Sequence, residues 1–307
     1  MIEQQQPPGA AMAEDFRCGT VAIVGRPNVG KSTLVNHLVG QKLSITSRKP
    51  QTTRHRIKGI LTRPDAQFVF VDTPGLQTRH SNALHRAMNR SVLSTLAETD
   101  AVVMVIEALK FTPEDQQVLD RLPAGIQPVL AINKVDRVHP RERLLPFLGE
   151  LGARDRFCAM VPLSAQKEIQ LDSLLAEIRQ RLPVAAPMYD AEDVTDASER
   201  FFAAEFIREQ LFRLLGDELP YATSVSIESF IVEGTMRRIQ AVILVDQDNQ
   251  KPIVIGHDGA KLKEVGRRAR LDLERLFGAK VFLELWVKVK GGWADDARVL
   301  KSLGHEL

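Results

Sequence analysis

Apolar runs and amphipathic segments alternate over the first 180 residues of the chain. Apolar runs that predict β-strands lie at Thr20–Val24, Ile57–Leu61, Gln67–Asp72, Ala101–Glu107, Val129–Asn133 and Phe157–Pro162. Amphipathic helical patterns at Leu84–Ala97, Pro113–Arg121 and Leu171–Arg181 separate most of these runs. Repeated strand–helix crossovers favour an α/β fold with a doubly wound, mostly parallel sheet. Because the second run directly precedes the third, we expect one antiparallel pair at the sheet edge.

The pattern changes after residue 182. Pro183 and Pro187 break the preceding helix, and an acidic stretch at 190–196 indicates a linker. Beyond it the pattern predicts a small α+β unit with helices at Glu199–Leu215 and Ala260–Phe277 and strands at Thr223–Val232, Arg238–Gln247 and Val281–Val289. We therefore expect a disordered N-terminal tail (1–16), a first domain (17–182), a linker (183–198), a second domain (199–290) and a C-terminal tail (291–307) with room for one short helix.

Composition restricts the class of protein but does not indicate a function. The 307 residues suffice for two domains, and 44% hydrophobic with 26% charged residues is ordinary for a globular protein. No apolar run approaches 18 residues, so we expect no transmembrane helix. Cys18 and Cys158 have neither metal nor redox spacing, and two cysteines exclude a disulfide framework. These features favour a cytoplasmic protein.

A phosphate-binding loop is the strongest chemical signal. The segment Gly25-Arg26-Pro27-Asn28-Val29-Gly30-Lys31-Ser32 fits G-x-x-x-x-G-K-[ST] and lies between a predicted strand and a helical pattern that runs from Ser32 and Thr33 to Val39. Gly25 and Gly30 allow the backbone to approach phosphate, and the amides of the loop and of the first helical turn point at negative charge. Lys31 would reach the β- and γ-phosphates, and the Ser32 hydroxyl would ligate Mg²⁺.

Three further motifs follow in order, each at the end of a predicted strand. In Asp72-Thr73-Pro74-Gly75, the aspartate can hold Mg²⁺ through water, and the Gly75 N–H can bond the γ-phosphate. In Asn133-Lys134-Val135-Asp136, the carboxylate of Asp136 can accept two hydrogen bonds from guanine, whereas adenine offers no such donor pair. A backbone N–H of Ser164-Ala165 could meet guanine O6. The order predicts a GTP site.

With these motifs the chain resembles the Era-like family of translation-factor-related GTPases over about residues 18–290. The resemblance matches Gln51-Thr52-Thr53-Arg54-His55 to the second GTPase motif and implies that Thr53, with Ser32 and Asp72, holds Mg²⁺. It implies GTP/GDP and Mg²⁺ as ligands, catalytic roles for Lys31, Thr53 and Gly75, and a K⁺ ion beside Asn28 as a hypothesis. Leu76 stands where Ras-like GTPases place a water-orienting glutamine, so we expect slow intrinsic hydrolysis.

The second domain resembles a type II KH domain. Val254–Lys263 contains G-x-x-G after what the pattern predicts as an apolar strand end, and a helix follows. Residues 251–290 hold ten Lys/Arg against five Asp/Glu, whereas residues 184–250 hold five against thirteen. A solvated helix face is the alternative explanation for this charge. We expect Phe230, Phe282 and Trp286 to be core residues. The RNA-binding candidates are Gly256, His257, Gly259, Lys261, Lys263, Arg267 and Arg270.

The resemblance implies a switch that binds the 3′ end of 16S rRNA and acts in 30S subunit assembly. It further implies a monomer without an obligate protein partner, located in the cytoplasm and in part weakly at the cytoplasmic face of the membrane. Two alternatives stay open. Leu76 is compatible with a passive RNA-binding module that uses nucleotide as a structural ligand. A GTPase of tRNA modification has a similar nucleotide domain, but the KH-like unit and the lack of a C-terminal cysteine argue against it.

Overall fold

The computed structural model describes residues 15–47, 49, 52–75, 82–216 and 218–305. Most of the predicted N-terminal tail therefore lies outside the described residues, as do Gln51 and Leu76. None of the described helices is long and apolar enough to cross a membrane.

A six-stranded sheet forms the centre of the first domain. Its strands are β1 (Arg17–Val24), β2 (Ile57–Arg63), β3 (Ala66–Asp72), β4 (Ala101–Glu107), β5 (Val129–Asn133) and β6 (Ala159–Pro162). They lie in the order β2-β3-β1-β4-β5-β6. β2 pairs antiparallel with β3, and the other pairs are parallel. The predicted doubly wound sheet and its antiparallel edge pair are confirmed. β3 and β5 are buried along their whole length because helices cover both faces.

Among the described residues, five helices surround this sheet: α1 (Lys31–Val39), α2 (Ala83–Ala97), α3 (Pro113–Asp120), α4 (Leu144–Gly152) and α5 (Leu171–Arg179). Local signals fix several of their ends. Thr112 and Asp115 form a capping box at the start of α3, and Gly40 ends α1 in the left-handed conformation. The sequence pattern missed α4. Its apolar residues Leu144, Phe147, Leu148 and Leu151 have helical spacing, but Pro146 and Gly149 within it are residues that disfavour a helix.

The linker and the second domain follow. The linker runs along the first sheet, where the Ile60 N–H donates to the Val194 carbonyl at 2.9 Å. The second domain contains α6 (Glu199–Leu214), β7 (Thr223–Glu233), β8 (Met236–Val245), α7 (Gln250–Ile255), α8 (Ala260–Phe277) and β9 (Lys280–Val289). The sheet order is β7-β8-β9, antiparallel and then parallel.

Two predictions for the second domain are wrong. The apolar segment before G-x-x-G is the helix α7 rather than a strand end, because Pro252 falls in the first helical turn, where an N–H has no intrahelical partner. Phe282 and Trp286 are 42% and 44% exposed, so they are not core residues. They alternate correctly with the inward Val281 and Val287, but no helix covers their face of the sheet among the described residues.

The predicted C-terminal tail is folded over its described residues, 291–305. Residues 293–295 form a 3₁₀ turn and Ala297–Ser302 forms α9. Trp293 is 1% exposed and packs with Leu300 against Leu84 and Met88 of α2. Its Nε1 also donates to the Ala222 carbonyl of the second domain at 3.0 Å. This segment therefore joins the two domains.

Candidate nucleotide-binding site

A cleft of about 380 Å³ opens where β1 and β3 end and α1 begins. Eight of the predicted nucleotide-site residues line it, namely Asn28, Gly30, Lys31, Ser32, Thr33, Thr53, Gly75 and Lys134. The other predicted residues, which are Gly25, Val29, Asp72, Asn133, Asp136, Ser164 and Ala165, lie behind or beside this lining and position it through the bonds described below. The sequence motifs thus meet at one edge of the sheet.

The phosphate-binding loop requires glycine at two positions. Gly25 has φ of +150° and Gly30 has φ of +107°, and a Cβ on either would collide with a neighbour, the Val105 carbonyl for Gly25 and the Asn133 side chain for Gly30. Asn28 has φ of +66°, a conformation that asparagine tolerates better than most residues. The loop is therefore held in a shape whose amides face the cleft.

Lys31 is the buried cation of the cleft. Its ammonium donates to the carbonyls of Gly25 at 2.9 Å and Arg26 at 3.1 Å, and the residue is 7% exposed. Burial lowers its pKa to about 8. A lysine that is desolvated in this way gains a strong partner when a polyphosphate enters.

Three side chains whose oxygens could ligate a metal ion lie close together below the loop. The Ser32 and Thr53 hydroxyls are 3.0 Å apart, and the Thr53 hydroxyl donates to Asp72 Oδ2 at 3.4 Å. Asp72 is fully buried, and its Oδ1 has no hydrogen-bond partner among the described residues. Burial raises the pKa of this carboxyl, and the nearby Lys31 partly opposes the shift. A compact set of hydroxyl and carboxylate oxygens with an unpaired carboxylate atom fits Mg²⁺.

Asn133 ties the base-recognition motif to the phosphate loop. Its Nδ2 donates to the Val29 carbonyl at 2.8 Å, and its Oδ1 accepts from the Ala165 N–H at 2.9 Å. Ser164 Oγ donates to Asp136 Oδ1 at 2.5 Å and so orients that carboxylate. Because each carboxylate oxygen can accept more than one hydrogen bond, Asp136 keeps the capacity to accept from two donors of a purine edge.

Lys134 braces the same loops from the opposite side. Its ammonium donates to the Asn28 carbonyl at 2.8 Å and to Glu107 Oε2 at 2.7 Å. Burial would raise the pKa of Glu107, but hydrogen bonds from Lys110 and Lys134 lower it to about 2. Glu107 was not identified from the sequence, although it ends an apolar strand as Asp72 and Asn133 do.

Other cleft residues lie outside any motif. Thr46, Ser47, Lys49, Arg137 and Gln166 line the cleft, and no sequence pattern identified them. Gly75 approaches the loop so closely that a Cβ on it would lie 3.2 Å from Pro27 Cγ. Glycine at this position therefore keeps the third motif against the phosphate loop.

The segment 42–56, of which 42–47, 49 and 52–56 are described, connects the cleft to the second domain. Leu43 and Ile45 are buried in the core of that domain. Lys42 forms an ion pair with Glu209 at 2.6 Å, and the Thr46 N–H donates to the same carboxylate at 3.0 Å. The residues that would sense a γ-phosphate are thus part of the domain interface.

Arg54 and His55 make further contacts across this interface. Arg54 is 3% exposed, and its guanidinium donates to the carbonyls of Thr223 at 2.8 Å and Pro220 at 3.1 Å. Burial, and then Arg208, lowers its pKa to about 9, so it stays a cation at neutral pH. The His55 ring stacks on His305 with 4.2 Å between centroids. Burial lowers the pKa of His55 to about 4.

The predicted RNA site lies at the start of α8. Gly256 and Gly259 have φ of +75° and +74°, and a Cβ on Gly256 would lie 2.7 Å from that of Lys261. His257 and Asp258 project between the glycines with side chains 95% and 88% exposed. The backbone of this turn is therefore accessible to a nucleic-acid strand.

The predicted basic residues share one helix but differ in their partners. Lys263 and Arg267 are exposed, and Lys261 and Arg270 are half-buried. Arg267 pairs with Glu264 at 2.8 Å, and Arg270 pairs with Glu274 at 3.0 Å. A phosphate would have to compete with these carboxylates for both arginines, whereas the two lysines lie just after the glycine turn, in the first turn of α8.

Comparison with known proteins matches both domains. A family model described as 50S ribosome-binding GTPase matches residues 20–134, and one described as KH domain matches residues 218–294. GTPase Era of Nitrosomonas eutropha is 53% identical over 294 residues, which cover 96% of this chain and 99% of the relative. GTPase Era of Chromobacterium violaceum is 52% identical over 289 residues, 94% of this chain and 98% of the relative.

Solved structures match the whole architecture. A variant of Era from Aquifex aeolicus bound to GDP·AlF₄⁻ superposes with a TM-score of 0.92 at 36% identity and covers 95% of this chain and all of that one. A structure of Era with MgGDPNP and nucleotides 1506–1542 of 16S ribosomal RNA gives 0.91 at 37% identity with the same coverage. With its nucleotide cleft, its G-x-x-G turn and these relatives, the chain belongs to the Era family of GTPases.

Proposed function

We propose that this chain is a GTP-dependent switch that binds the 3′ end of 16S rRNA and assists maturation of the 30S subunit. As a member of the Era family it hydrolyses GTP. The observation that supports the proposal best is the position of Thr53. Its hydroxyl meets the candidate Mg²⁺ donors, and the residue after it is anchored in the second domain.

The nucleotide part of the proposal assigns roles to the cleft residues. Lys31 and the amides of 25–33 would bind the phosphates, and Ser32, Thr53 and Asp72 would hold Mg²⁺, with Asp72 acting through water. Bound Mg²⁺ supplies charge neutralisation at the β- and γ-phosphates. Thr53 and Gly75 would close on the γ-phosphate, and Asp136 would select guanine.

The RNA part rests on the second domain. One solved structure of Era contains nucleotides 1506–1542 of 16S ribosomal RNA together with MgGDPNP. We infer that the turn at Gly256 to Gly259 receives RNA backbone and that Lys261 and Lys263 neutralise adjacent phosphates.

Coupling follows from the shared segment. GTP would order Thr53, and hydrolysis would release it, so the domain interface at 42–56 would change with the nucleotide. Hydrolysis by the isolated protein should be slow, since Leu76 has no hydrogen-bonding side chain to orient water. A K⁺ ion beside Asn28 would add positive charge at the phosphates, and turnover that is equal in Na⁺ and K⁺ would exclude it.

Two measurements test the proposal. Fluorescent GDP displacement by GTP, GDP and ATP should show tight binding of both guanine nucleotides and at least 100-fold weaker binding of ATP. Phosphate release should then rise when an RNA with the 3′-terminal 16S sequence is added. Equal binding of ATP would exclude the guanine-selective site, and RNA binding without phosphate release would favour the passive RNA-binding module instead.

A further inference from the structure

The side chain of Arg54 is fixed by the backbone of the second domain. Its Nη1 donates to the Thr223 carbonyl at 2.8 Å, and its Nη2 donates to the carbonyls of Pro220 at 3.1 Å and Tyr221 at 3.4 Å. The residues 220–223 form the end of a 3₁₀ turn that leads into β7, and we call them the 220–223 turn. Three hydrogen bonds to carbonyls of one turn define both the position and the plane of the guanidinium.

Packing prevents this side chain from leaving easily. The guanidinium carbon lies 5.6 Å from the ring centroid of Phe212 and 5.8 Å from that of Trp293. Trp293 itself donates to the Ala222 carbonyl, so the same turn binds the C-terminal segment. Withdrawal of Arg54 would remove its hydrogen bond to the buried Thr223 carbonyl, and loss of a partner for a buried polar group is costly. The Pro220 carbonyl would keep the hydrogen bonds that it accepts from the hydroxyl and N–H of Thr223.

The residue before Arg54 is Thr53, which lies at the candidate Mg²⁺ site. Thr53 is one residue from Arg54, and adjacent Cα atoms are held about 3.8 Å apart by the peptide geometry. Its hydroxyl lies 3.0 Å from Ser32 Oγ and 3.4 Å from Asp72 Oδ2. A fixed Arg54 therefore restricts where the Thr53 hydroxyl can be. A displacement of about 1 Å at a catalytic group can cost about 100-fold in rate.

We propose that Arg54 is a positioning residue for GTP hydrolysis, which holds Thr53 at the Mg²⁺ site by anchoring it to the 220–223 turn of the KH domain. The inference rests on the proposed function, because it takes Thr53 as a ligand of Mg²⁺. It goes further in assigning a role in hydrolysis to backbone of the second domain. Docking of the second domain then completes the GTPase site, in addition to changing in response to the bound nucleotide.

The test compares Arg54→Ala, Arg54→Lys and Lys42→Ala in the full chain. Lys42 is the matched control because it also joins 42–56 to the second domain, through Glu209 and Asp272, but is 11 positions from Thr53 and outside the cleft. Single-turnover GTP hydrolysis is measured against Mg²⁺ concentration, and binding of fluorescent GDP without Mg²⁺ is measured in parallel.

We expect Arg54→Ala to lower the single-turnover rate by at least tenfold and to raise the Mg²⁺ concentration for half-maximal rate. GDP binding without Mg²⁺ should stay within about twofold, which also shows that the variant is folded. Arg54→Lys should recover part of the loss, and Lys42→Ala should stay within about twofold of the unsubstituted protein.

An unchanged rate and Mg²⁺ dependence in Arg54→Ala would overturn the inference, and so would an equal loss in Lys42→Ala. If Arg54→Ala does not bind GDP, the decision passes to Arg54→Lys, where an unchanged Mg²⁺ dependence would overturn the inference. Failure of the unsubstituted chain to hydrolyse GTP would instead contradict the proposed function.

Discussion

Replacement of Trp293 by alanine tests whether the C-terminal segment belongs to the folded core. The side chain is 1% exposed and contacts both α2 and the 220–223 turn. A buried tryptophan removes about 150–250 Å² from water, which at about 25 cal/mol per Å² corresponds to about 4–6 kcal/mol. Because the site can relax, we expect a loss of about 3–5 kcal/mol in the free energy of unfolding.

Trp293→Phe distinguishes the contribution of the apolar ring contacts to stability from that of the N–H hydrogen bond. Phenylalanine keeps most of the apolar contact but cannot donate to the Ala222 carbonyl, so we expect a smaller loss of about 1–3 kcal/mol. Trp286→Ala is the matched control, since that tryptophan is 44% exposed on the outer face of the second sheet. Its substitution should change stability by about 0.5 kcal/mol or less.

Urea unfolding followed by far-ultraviolet circular dichroism gives these free energies. Hydrogen exchange gives a second readout, because Trp293→Ala should increase exchange at the start of α2, where Asp295 accepts from the Ala83 N–H at 2.7 Å. The reasoning is refuted if Trp293→Ala costs no more than Trp286→Ala, since residues 291–305 would then be a tail in solution.

Three further predictions use buried ionisable groups, and urea unfolding measures the change in stability in each case. Lys31→Met should stabilise the nucleotide-free protein by about 1–3 kcal/mol, because burial holds the pKa of Lys31 at about 8. The same substitution should weaken GTP binding about 100-fold, and an unchanged GTP affinity would contradict the phosphate-binding role of Lys31. Burial, and then His55, Arg54 and Arg208, hold the pKa of His305 at about 2, so wild-type stability should fall as the pH drops below about 6.5, the unfolded value. His305→Phe should reduce this slope by up to about 1.4 kcal/mol per pH unit, and an unaltered slope would be inconsistent with a neutral buried ring. Glu205→Gln should cost about 3–5 kcal/mol because it leaves Arg208, 3% exposed, without its counter-charge. A loss as small as that of Glu264→Gln, whose side chain is 33% exposed, would show that the pair is solvated.

The parts of the site that the sequence predicted are those where chemistry restricts the residue type. Gly25 and Gly30 occupy backbone conformations and close approaches that few other residues allow, so the loop is visible in one sequence. The strands before Asp72 and Asn133 are short, buried and apolar, which makes their ends easy to locate. The fold class followed from the same alternation.

What the sequence did not show depends on contacts between distant residues. Arg54 and Thr223 are 169 positions apart, and neither lies in a pattern that identifies the other as its partner. Trp293 looked like part of a tail because its partners on α2 are about 200 positions away. Alternation in β9 revealed two faces, but it could not reveal that the face of Phe282 is left uncovered. Domain interfaces carry little local periodicity, so they become visible only in the folded chain.

The most direct test of the account is the affinity for RNA in two nucleotide states. A fluorescent RNA with the 3′-terminal sequence of 16S rRNA is titrated with the protein in Mg²⁺ and either a non-hydrolysable GTP analogue or GDP, and anisotropy gives both dissociation constants. Since coupling between two sites usually lies at 5- to 150-fold, we predict at least fivefold tighter binding in the GTP-analogue state. Equal dissociation constants in the two states would contradict a switch that connects Thr53 to the KH domain.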